Sequence, residues 1–251
     1  MKRLNIVVPY RAREAHLKLL MPGLSLYFDR DKTDRDIPYQ VLVIEQENGL
    51  PFNRGALKNI GFLLGRDYGD YTCFHDVDYV PIWADYSWPE KPVSIVWYGA
   101  EYRPFRVNAP AGMIKQDMAK YYGGVVLVSN NHFAQVDGFS NTYWGWGYED
   151  LDLKNRLDRA GIGMGRRKGT FRALHHDHDA YDDNRNLNAP AQANADLYTS
   201  RYAADAPAPQ DGLSTIAFEI LNRRAIKPDN PNQERAASWE MITVRLGISP
   251  P

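Results

Sequence analysis

LNIVVPYRAREAHLKLLMPGLSLYFDRDKTDRDIPYQVLVIE, residues 4 to 45, decides the fold class. Leu4 to Val8 is a compact apolar run closed by Pro9, the pattern of a buried strand that stops at a loop. Leu17, Leu20 and Leu24 then mark one face of a helix, and Tyr39 to Glu45 is a second buried-type strand. Strand, helix and strand in that order predict a βαβ unit with parallel strands, which puts the loop Pro9-Tyr10-Arg11-Ala12-Arg13 at the carboxyl end of the first strand. Open α/β sheets bind ligands at that edge. Two arginines in such a loop suit a phosphate-bearing ligand, although a solvated loop would carry them as readily.

Outward from this unit, Phe52-Asn53-Arg54 opens a second helix, with Asn53 as its cap and Leu57, Ile60, Phe62 and Leu64 behind it. Arg54 is then near a helix N-terminus, a place that attracts anions. Tyr71 to Phe74 reads as a third strand and runs into His75-Asp76-Val77-Asp78-Tyr79-Val80-Pro81. Two aspartates flanking one apolar residue at a strand end present a carboxylate to a hard divalent cation while the residue between them stays packed. Turn chemistry alone also produces such triplets. Pro81 to Val107, with several tryptophans, tyrosines and prolines, reads as an irregular excursion containing a strand at Val93 to Tyr98.

The stretch Gly123 to Arg159 holds the densest chemistry. Val125 to Val128 form a strand-length apolar run, and Ser129 caps a short helix ending near Gly138. From Tyr143 to Gly147 two tryptophans alternate with glycines, a mixture that suits a backbone passing close to a ligand under flat aromatic walls. Glu149, Asp150 and Asp152 follow, and Leu153, Leu157 and Ala160 recur at helical spacing before Gly161. The carboxylates therefore lie in the first turn of an amphipathic helix, where the dipole favours them whether or not they do chemistry.

Further on, His175, His176 and His178 stand beside Asp177 and Asp179, a concentration of imidazole and carboxylate that suggests metal ligation. Asp182 to Gln210 is polar and rich in Asn, Ala and Pro, which predicts a mobile or lid-like loop over about residues 180–210. Leu213 to Arg223 and Ser238 to Leu246 predict a closing antiparallel hairpin. The 251 residues carry a formal net charge of −1, which gives no basic surface for nucleic acid or anionic membrane. One cysteine, Cys73, excludes a disulfide framework and points to a reducing compartment. The start, MKRLNIVVPYR, has an apolar run too short for a signal peptide or a membrane span, so a cytoplasmic chain with no transmembrane segment is expected, at most peripheral to the inner membrane surface.

Taken in order, VVPYRAR, FNRGALKNIGF, FHDVDYVP, YYGGVVLVS, GFSNTYWGWGYEDLDLKNRL, the histidine cluster and DGLSTIAFEIL resemble the β-1,4-galactosyltransferase family over nearly the whole chain. The WGWG-x-ED block is its most specific part. The resemblance implies a GT-A fold of the α/β class: a Rossmann-like, mostly parallel sheet flanked by helices, with a small C-terminal antiparallel portion. It also implies one glycosyltransferase domain over residues 1–251, with a nucleotide-binding half at 1–120 and a half for donor and acceptor sugars at 121–251. Animal members carry a membrane anchor, a stem and disulfides, and the chain looks instead like a soluble bacterial-type relative.

The implied activity is inverting, metal-dependent transfer of galactose from UDP-galactose to a glycan or glycolipid acceptor with a β-1,4 linkage. Matched position by position, Pro9, Arg11, Arg13, Phe52 and Arg54 would hold the uridine and diphosphate. Asp76 and Val77 would touch the nucleoside, and Tyr121, Gly124, Trp146 and Glu149 the donor sugar. Trp146, Gly147, Asp150 and Leu151 would face the acceptor, with Asp150 as the base, kept ionised by its place at a helix N-terminus. The ion implied is Mn²⁺, with Mg²⁺ the alternative, on Asp78, His176 and His178, or on His175 if the loop shifts by one. The H-x-H-D pattern at His176 to Asp179 resembles the xylose-accepting branch, and Ala173 stands where vertebrate members have methionine.

Tyr121 matches a position where tyrosine goes with galactose donors and a smaller aliphatic residue admits N-acetylgalactosamine. One departure concerns the acceptor. The family commonly reads E-D-D where this chain has Glu149-Asp150-Leu151, and leucine accepts no hydrogen bond from a sugar hydroxyl. That favours xylose or another glycan over N-acetylglucosamine. The competing readings are a UDP-N-acetylgalactosamine transferase of the chondroitin-polymerase type and a non-catalytic sugar-nucleotide-binding module.

Overall fold

In the computed structural model, strand β1 (Leu4–Tyr10) lies between β2 (Tyr39–Gln46) and β3 (Tyr71–His75) and runs parallel to both. The structure describes residues 1–30, 36–47, 49–96, 121–174, 187–203, 206–227 and 238–250. Helix α1 (Glu14–Arg30) joins β1 to β2 and α2 (Arg54–Gly65) joins β2 to β3, so both expected βαβ units are present. Next come β4 (Tyr79–Ala84), β5 (Val93–Ser94), β6 (Val125–Ser129), α3 (Asn130–Gln135) and α4 (Glu149–Arg159). The chain continues with β7 (Gly165–Arg166), β8 (Gly169–Ala173), α5 (Ala189–Arg201), β9 (Phe218–Ala225) and β10 (Trp239–Leu246).

The main sheet has the order β7-β5-β6-β3-β1-β2-β10-β9, and β4 pairs with β8 in a separate antiparallel ribbon. β10 is parallel to β2, while β9 pairs antiparallel with β10, which is the expected C-terminal hairpin. Beyond β3 the sheet turns antiparallel at β6. Strands from the first 120 residues and from the remainder share this one sheet.

The apolar runs are continuous because both faces are covered. Leu4, Ile6 and Val8 of β1 join Leu17, Leu20 and Leu24 of α1 in one core. Val7 points the other way, into a second core with Leu57 and Ile60 of α2, Phe133 of α3 and Leu153 and Leu157 of α4. Contact on that side is close: a Cβ on Gly61 would lie 2.2 Å from Val7 Cγ1. Gly61→Ala should therefore lower stability by about 1–3 kcal/mol, read as a shifted urea midpoint. An unshifted midpoint would mean that α2 can move off β1 at no cost.

Four local expectations need correction. β1 does not stop before Pro9 but runs through it to Tyr10. Its pairing with β3 ends at Val7, so Pro9 falls where β1 keeps one neighbour and the missing N–H is tolerated. Residues 81–84, read as the start of an irregular excursion, belong to β4, and the pairing shifts register between Pro81 and Trp83, the usual place for a strand proline. The predicted strand from Val93 to Tyr98 is paired only at Val93–Ser94, and 97–98 lie outside the described residues. Within the segment read as a loop, residues 189–201 are helical. Asn188 caps that helix by accepting from the Ala191 N–H, and Pro190 sits at its start, where proline costs nothing. No helix among the described residues is long and apolar enough to cross a membrane.

Candidate active site

The carboxyl ends of β1, β2 and β3 face the amino end of α4, and the sequence folds each side for local reasons. Asn53 caps α2: its Oδ1 accepts from the Ala56 N–H at 2.9 Å, which aims Arg54 and, one turn on, Lys58 at the strand ends. The same amide donates to the Asn141 carbonyl at 2.7 Å, and Asn59 donates to the Phe139 carbonyl at 2.7 Å. The loop before the tryptophan-glycine turn is thereby pinned to α2. Gly145 closes the turn with an N–H to the Phe52 carbonyl at 2.7 Å.

Gly145 and Gly147 take φ of 78° and 96°, as a turn of this shape requires, and Tyr148 follows at φ 75°. A bulky residue in the left-handed region is strained, and here the strain lies directly before Glu149 and Asp150. The two tryptophans differ in role. Trp144 is buried in the second core, whereas Trp146 is half-buried in the turn. Asn194 of α5 donates to the carbonyls of both, each at 2.9 Å, and so ties that helix to the turn.

Four charged groups meet at the centre. Arg54 Nη1 lies 3.3 Å from Asp76 Oδ2 and 3.2 Å from Glu149 Oε1. Lys58 Nζ lies 3.6 Å from Asp76 Oδ1 and 3.7 Å from the same Glu149 oxygen. Burial works against the Asp76 charge, but Lys58 and Arg54 outweigh it and hold this carboxyl below its usual range. Burial likewise opposes the Arg54 charge, and Glu149 and Asp76 outweigh it, so its pKa stands above the ordinary value. His75 is buried between the Asp76 carbonyl and the Tyr86 hydroxyl, each 3.0 Å from a ring nitrogen. Burial pushes it down to about 4, so it stays neutral and holds Tyr86 rather than titrating.

Asp150 lies beside this cluster. A Cβ on Gly123 would sit 2.4 Å from Asp150 Oδ2, so only glycine leaves the carboxylate its place. Burial and the neighbouring Glu149 charge push Asp150 up to about 6, which outweighs the helix-start stabilisation expected from sequence. Asp78 is pushed up further, to about 7, by burial and then by Asp76, while Arg54 and Arg13 pull the other way. Tyr121 is raised by burial and by Asp76 and Asp150, so its phenol keeps its proton.

Of the residues singled out from sequence, Arg54, Asp76, Asp78, Tyr121, Glu149 and Asp150 are thus brought into one electrostatic unit, with Arg13 at its edge. Gly124 is part of the same wall, accepting the Asp76 N–H at 2.8 Å. Pro9 lies in the end of β1, and Val77 packs against the first core. Arg11 donates to the Leu50 carbonyl at 2.6 Å and stacks over Phe52 at 5.2 Å, which holds the loop after β1 against the loop before α2. Gly147 and Leu151 flank the two acids, and the Leu151 N–H donates to Asp150 Oδ1 at 2.8 Å.

His175, His176 and His178 lie outside the described residues, and among the described residues no group of three or more metal-binding side chains occurs. Asp152, the third acid of the helix start, does not face this cluster. It is buried against Arg156 and Arg201. Lys58 was not singled out from sequence. Its one signal was a lysine four residues after Arg54 on α2.

Residues 1–87 match the profile described as the N-terminal region of glycosyl transferase group 7, and 103–179 match that described as the N-terminal domain of galactosyltransferase. Beta-1,4-galactosyltransferase 7 of Homo sapiens is 31% identical over 89% of this chain and 63% of its own length. The chain belongs to the β-1,4-galactosyltransferase family.

Beta-1,4-galactosyltransferase 2 of Homo sapiens, another β-1,4-galactosyltransferase family member, is 29% identical over 98% of this chain and 59% of its own length. The chain thus spans about three fifths of the length of these relatives. The catalytic domain of Drosophila beta-1,4-galactosyltransferase 7, solved with xylobiose, superposes with a TM-score of 0.73 at 24% identity, covering 99% of this chain and 96% of that one. A variant of the same Drosophila protein, solved with manganese, UDP-Gal and xylobiose, gives the same TM-score. The GT-A-type architecture expected from sequence is therefore the one observed.

Proposed function

We propose that the chain is an inverting, metal-dependent transferase that moves galactose from UDP-galactose to a hydroxyl of a glycan acceptor, forming a β-1,4 linkage. The observation that carries this reading is the meeting of Asp150 with the Arg54, Asp76 and Glu149 cluster at the carboxyl edge of the parallel strands. The named activity of the relatives, and the manganese, UDP-Gal and xylobiose bound by the Drosophila protein, support it. Pro9, Arg11, Arg13, Phe52 and Arg54 would take the uridine and diphosphate, and Asp76 and Val77 the nucleoside. Tyr121, Gly124, Trp146 and Glu149 would take the galactose. Trp146, Gly147, Asp150 and Leu151 would meet the acceptor, with xylose or another glycan favoured over N-acetylglucosamine because Leu151 accepts no hydrogen bond where the family commonly has an acceptor-binding aspartate.

In this scheme the nucleotide lies on residues 1–120 and the sugars on 121–251. Asp150 accepts the proton of the acceptor hydroxyl as that oxygen attacks the anomeric carbon and the bond to the UDP oxygen breaks. No covalent enzyme intermediate is needed, because one displacement inverts the centre. Asp78 fits a divalent cation, since burial and Asp76 make its own charge costly and a cation would relieve both. It would hold Mn²⁺, or Mg²⁺, together with His176 and His178, or His175 in place of one. When bound, such an ion neutralises charge developing on the leaving diphosphate. The single, fully buried Cys73 favours a reducing, cytoplasmic setting.

Calorimetry with UDP and Mn²⁺, followed by turnover of UDP-galactose against UDP-N-acetylgalactosamine, tests the donor. Galactose should be preferred, and Tyr121→Leu should move the preference toward N-acetylgalactosamine; equal use of both donors by the wild type contradicts the assignment. The base makes a pH prediction. Its ionised form is the active one, and Asp150 is pushed up to about 6. The transfer rate should therefore rise about tenfold per pH unit below that value and level off above it. A rate that is flat from acid to neutral pH would exclude Asp150 as the titrating base.

A further inference from the structure

We propose that Lys58 is a positioning residue for the donor diphosphate: it holds the Asp76 and Glu149 carboxylates from inside, which leaves Arg54 able to turn to phosphate. The proposal rests on the function proposed above. Arg54 and Lys58 stand one turn apart on α2 and bridge the same two carboxylates, Arg54 at 3.3 and 3.2 Å and Lys58 at 3.6 and 3.7 Å. Two cations and two anions make a closed, neutral square.

The two cations are not equivalent. The Lys58 side chain is 2% exposed and the Arg54 side chain 23% exposed, so Arg54 can reach a ligand in the cleft and Lys58 cannot. Below, Lys58 lies 4.9 Å from the Phe139 ring, which fixes the floor. Burying an ammonium is expensive, and a methionine at this position would avoid that cost. The charge has a use once Arg54 is asked to serve a diphosphate. With Arg54 turned away, Asp76 and Glu149 would face each other unscreened, and that repulsion would be charged against donor binding. Lys58 stays behind and removes it.

The experiment is calorimetry with UDP and Mn²⁺ on the full chain, comparing wild type, Lys58→Met and the double variant Lys58→Met, Glu149→Gln. UDP carries no galactose, so the part proposed for Glu149 in binding that sugar does not enter. Lys58→Met should weaken UDP binding about 10- to 100-fold, because Arg54 is then the one cation among the described residues left to pair with both buried carboxylates. The double variant should recover wild-type affinity to within about threefold, since the neutral amide no longer competes for Arg54. A Lys58 that served packing alone would give no recovery.

Undiminished UDP affinity in a folded Lys58→Met overturns the proposal, and so does a double variant that binds no better than the single. Should Lys58→Met not fold, the double variant, which lacks the extra buried carboxylate, decides alone: near-wild-type affinity supports the proposal and weak binding overturns it. A wild type that binds no UDP overturns the functional reading itself and this inference with it. That outcome is distinct from a failure confined to Lys58.

Discussion

Asp150→Asn should cut galactose transfer by about 10²- to 10⁴-fold while leaving UDP binding near the wild-type level. The asymmetry follows from where the carboxylate stands. Among the described residues Arg54 and Lys58 pair with Asp76 and Glu149 rather than with Asp150, so the nucleotide end of the site keeps its charges when Asp150 is neutralised. Asparagine fills the same volume beside Gly123, the residue whose missing Cβ leaves room for Asp150 Oδ2, and it accepts the Leu151 N–H as well. What it lacks is a site for the acceptor's proton. Steady-state rates, with calorimetry on the same preparation, separate the two quantities. A variant with wild-type turnover removes Asp150 from the chemistry, whereas one that has lost both turnover and UDP affinity has lost the site's shape instead.

The second large effect is structural. Asp152→Ala should destabilise the protein by about 3–5 kcal/mol. Asp152 is fully buried, with its carboxylate 2.5 Å from Arg156 Nε and 3.5 Å from Arg201 Nη1, and it accepts the Tyr143 hydroxyl at 3.1 Å. Both arginines also pair with Asp211, at 2.9 and 3.1 Å, and Asp211 accepts from Ser140 Oγ at 2.6 Å. Removing Asp152 leaves two guanidinium groups sharing one carboxylate. It also loosens α5 from α4, so transfer should fall even where the variant remains folded. Chemical denaturation gives the energy, and a loss below about 1 kcal/mol would mean that Asp211 alone satisfies both arginines.

Much of this could be read from the sequence, and the reasons differ from place to place. The βαβ units were legible because both faces of the sheet are buried, which turns Leu4 to Val8 and Tyr39 to Glu45 into unbroken apolar runs. Helix starts were legible where a side chain does the capping: Asn53 accepts from Ala56 and Ser129 from His132, both as expected. Helix α5 escaped notice because it buries little, only Ala191 and Asn194, and so shows no apolar stripe. Asn188 followed by Ala189 and Pro190 was its only local mark. β4 was hidden by Pro81, which a register shift accommodates.

At the site, residue type showed which groups could carry charge, but not which of them meet. Glu149, Asp150 and Asp152 look alike in a helix start, yet the helix turns the first two toward Arg54 and Gly123 and the third toward Arg156. Lys58 depends on partners far along the chain, Asp76 from the end of β3 and Glu149 from the start of α4, and nothing near it in sequence announces them. The fall in Asp150 acidity has the same origin. A helix start favours an ionised acid, and although Glu149 adjoins it in sequence, only the fold buries Asp150, the larger cause of the shift.

The most direct measurement of the central claim is mass spectrometry of a panel of xylose-, N-acetylglucosamine- and glucose-terminated acceptors after incubation with the full chain, UDP-galactose and Mn²⁺. The account predicts that at least one acceptor gains a single hexose in step with UDP release, that chelation of the metal stops the gain, and that a xylose-terminated acceptor is the better substrate. Tight binding of UDP and Mn²⁺ with no hexose gained by any acceptor would contradict it, and would leave the chain a binding module built on a transferase fold.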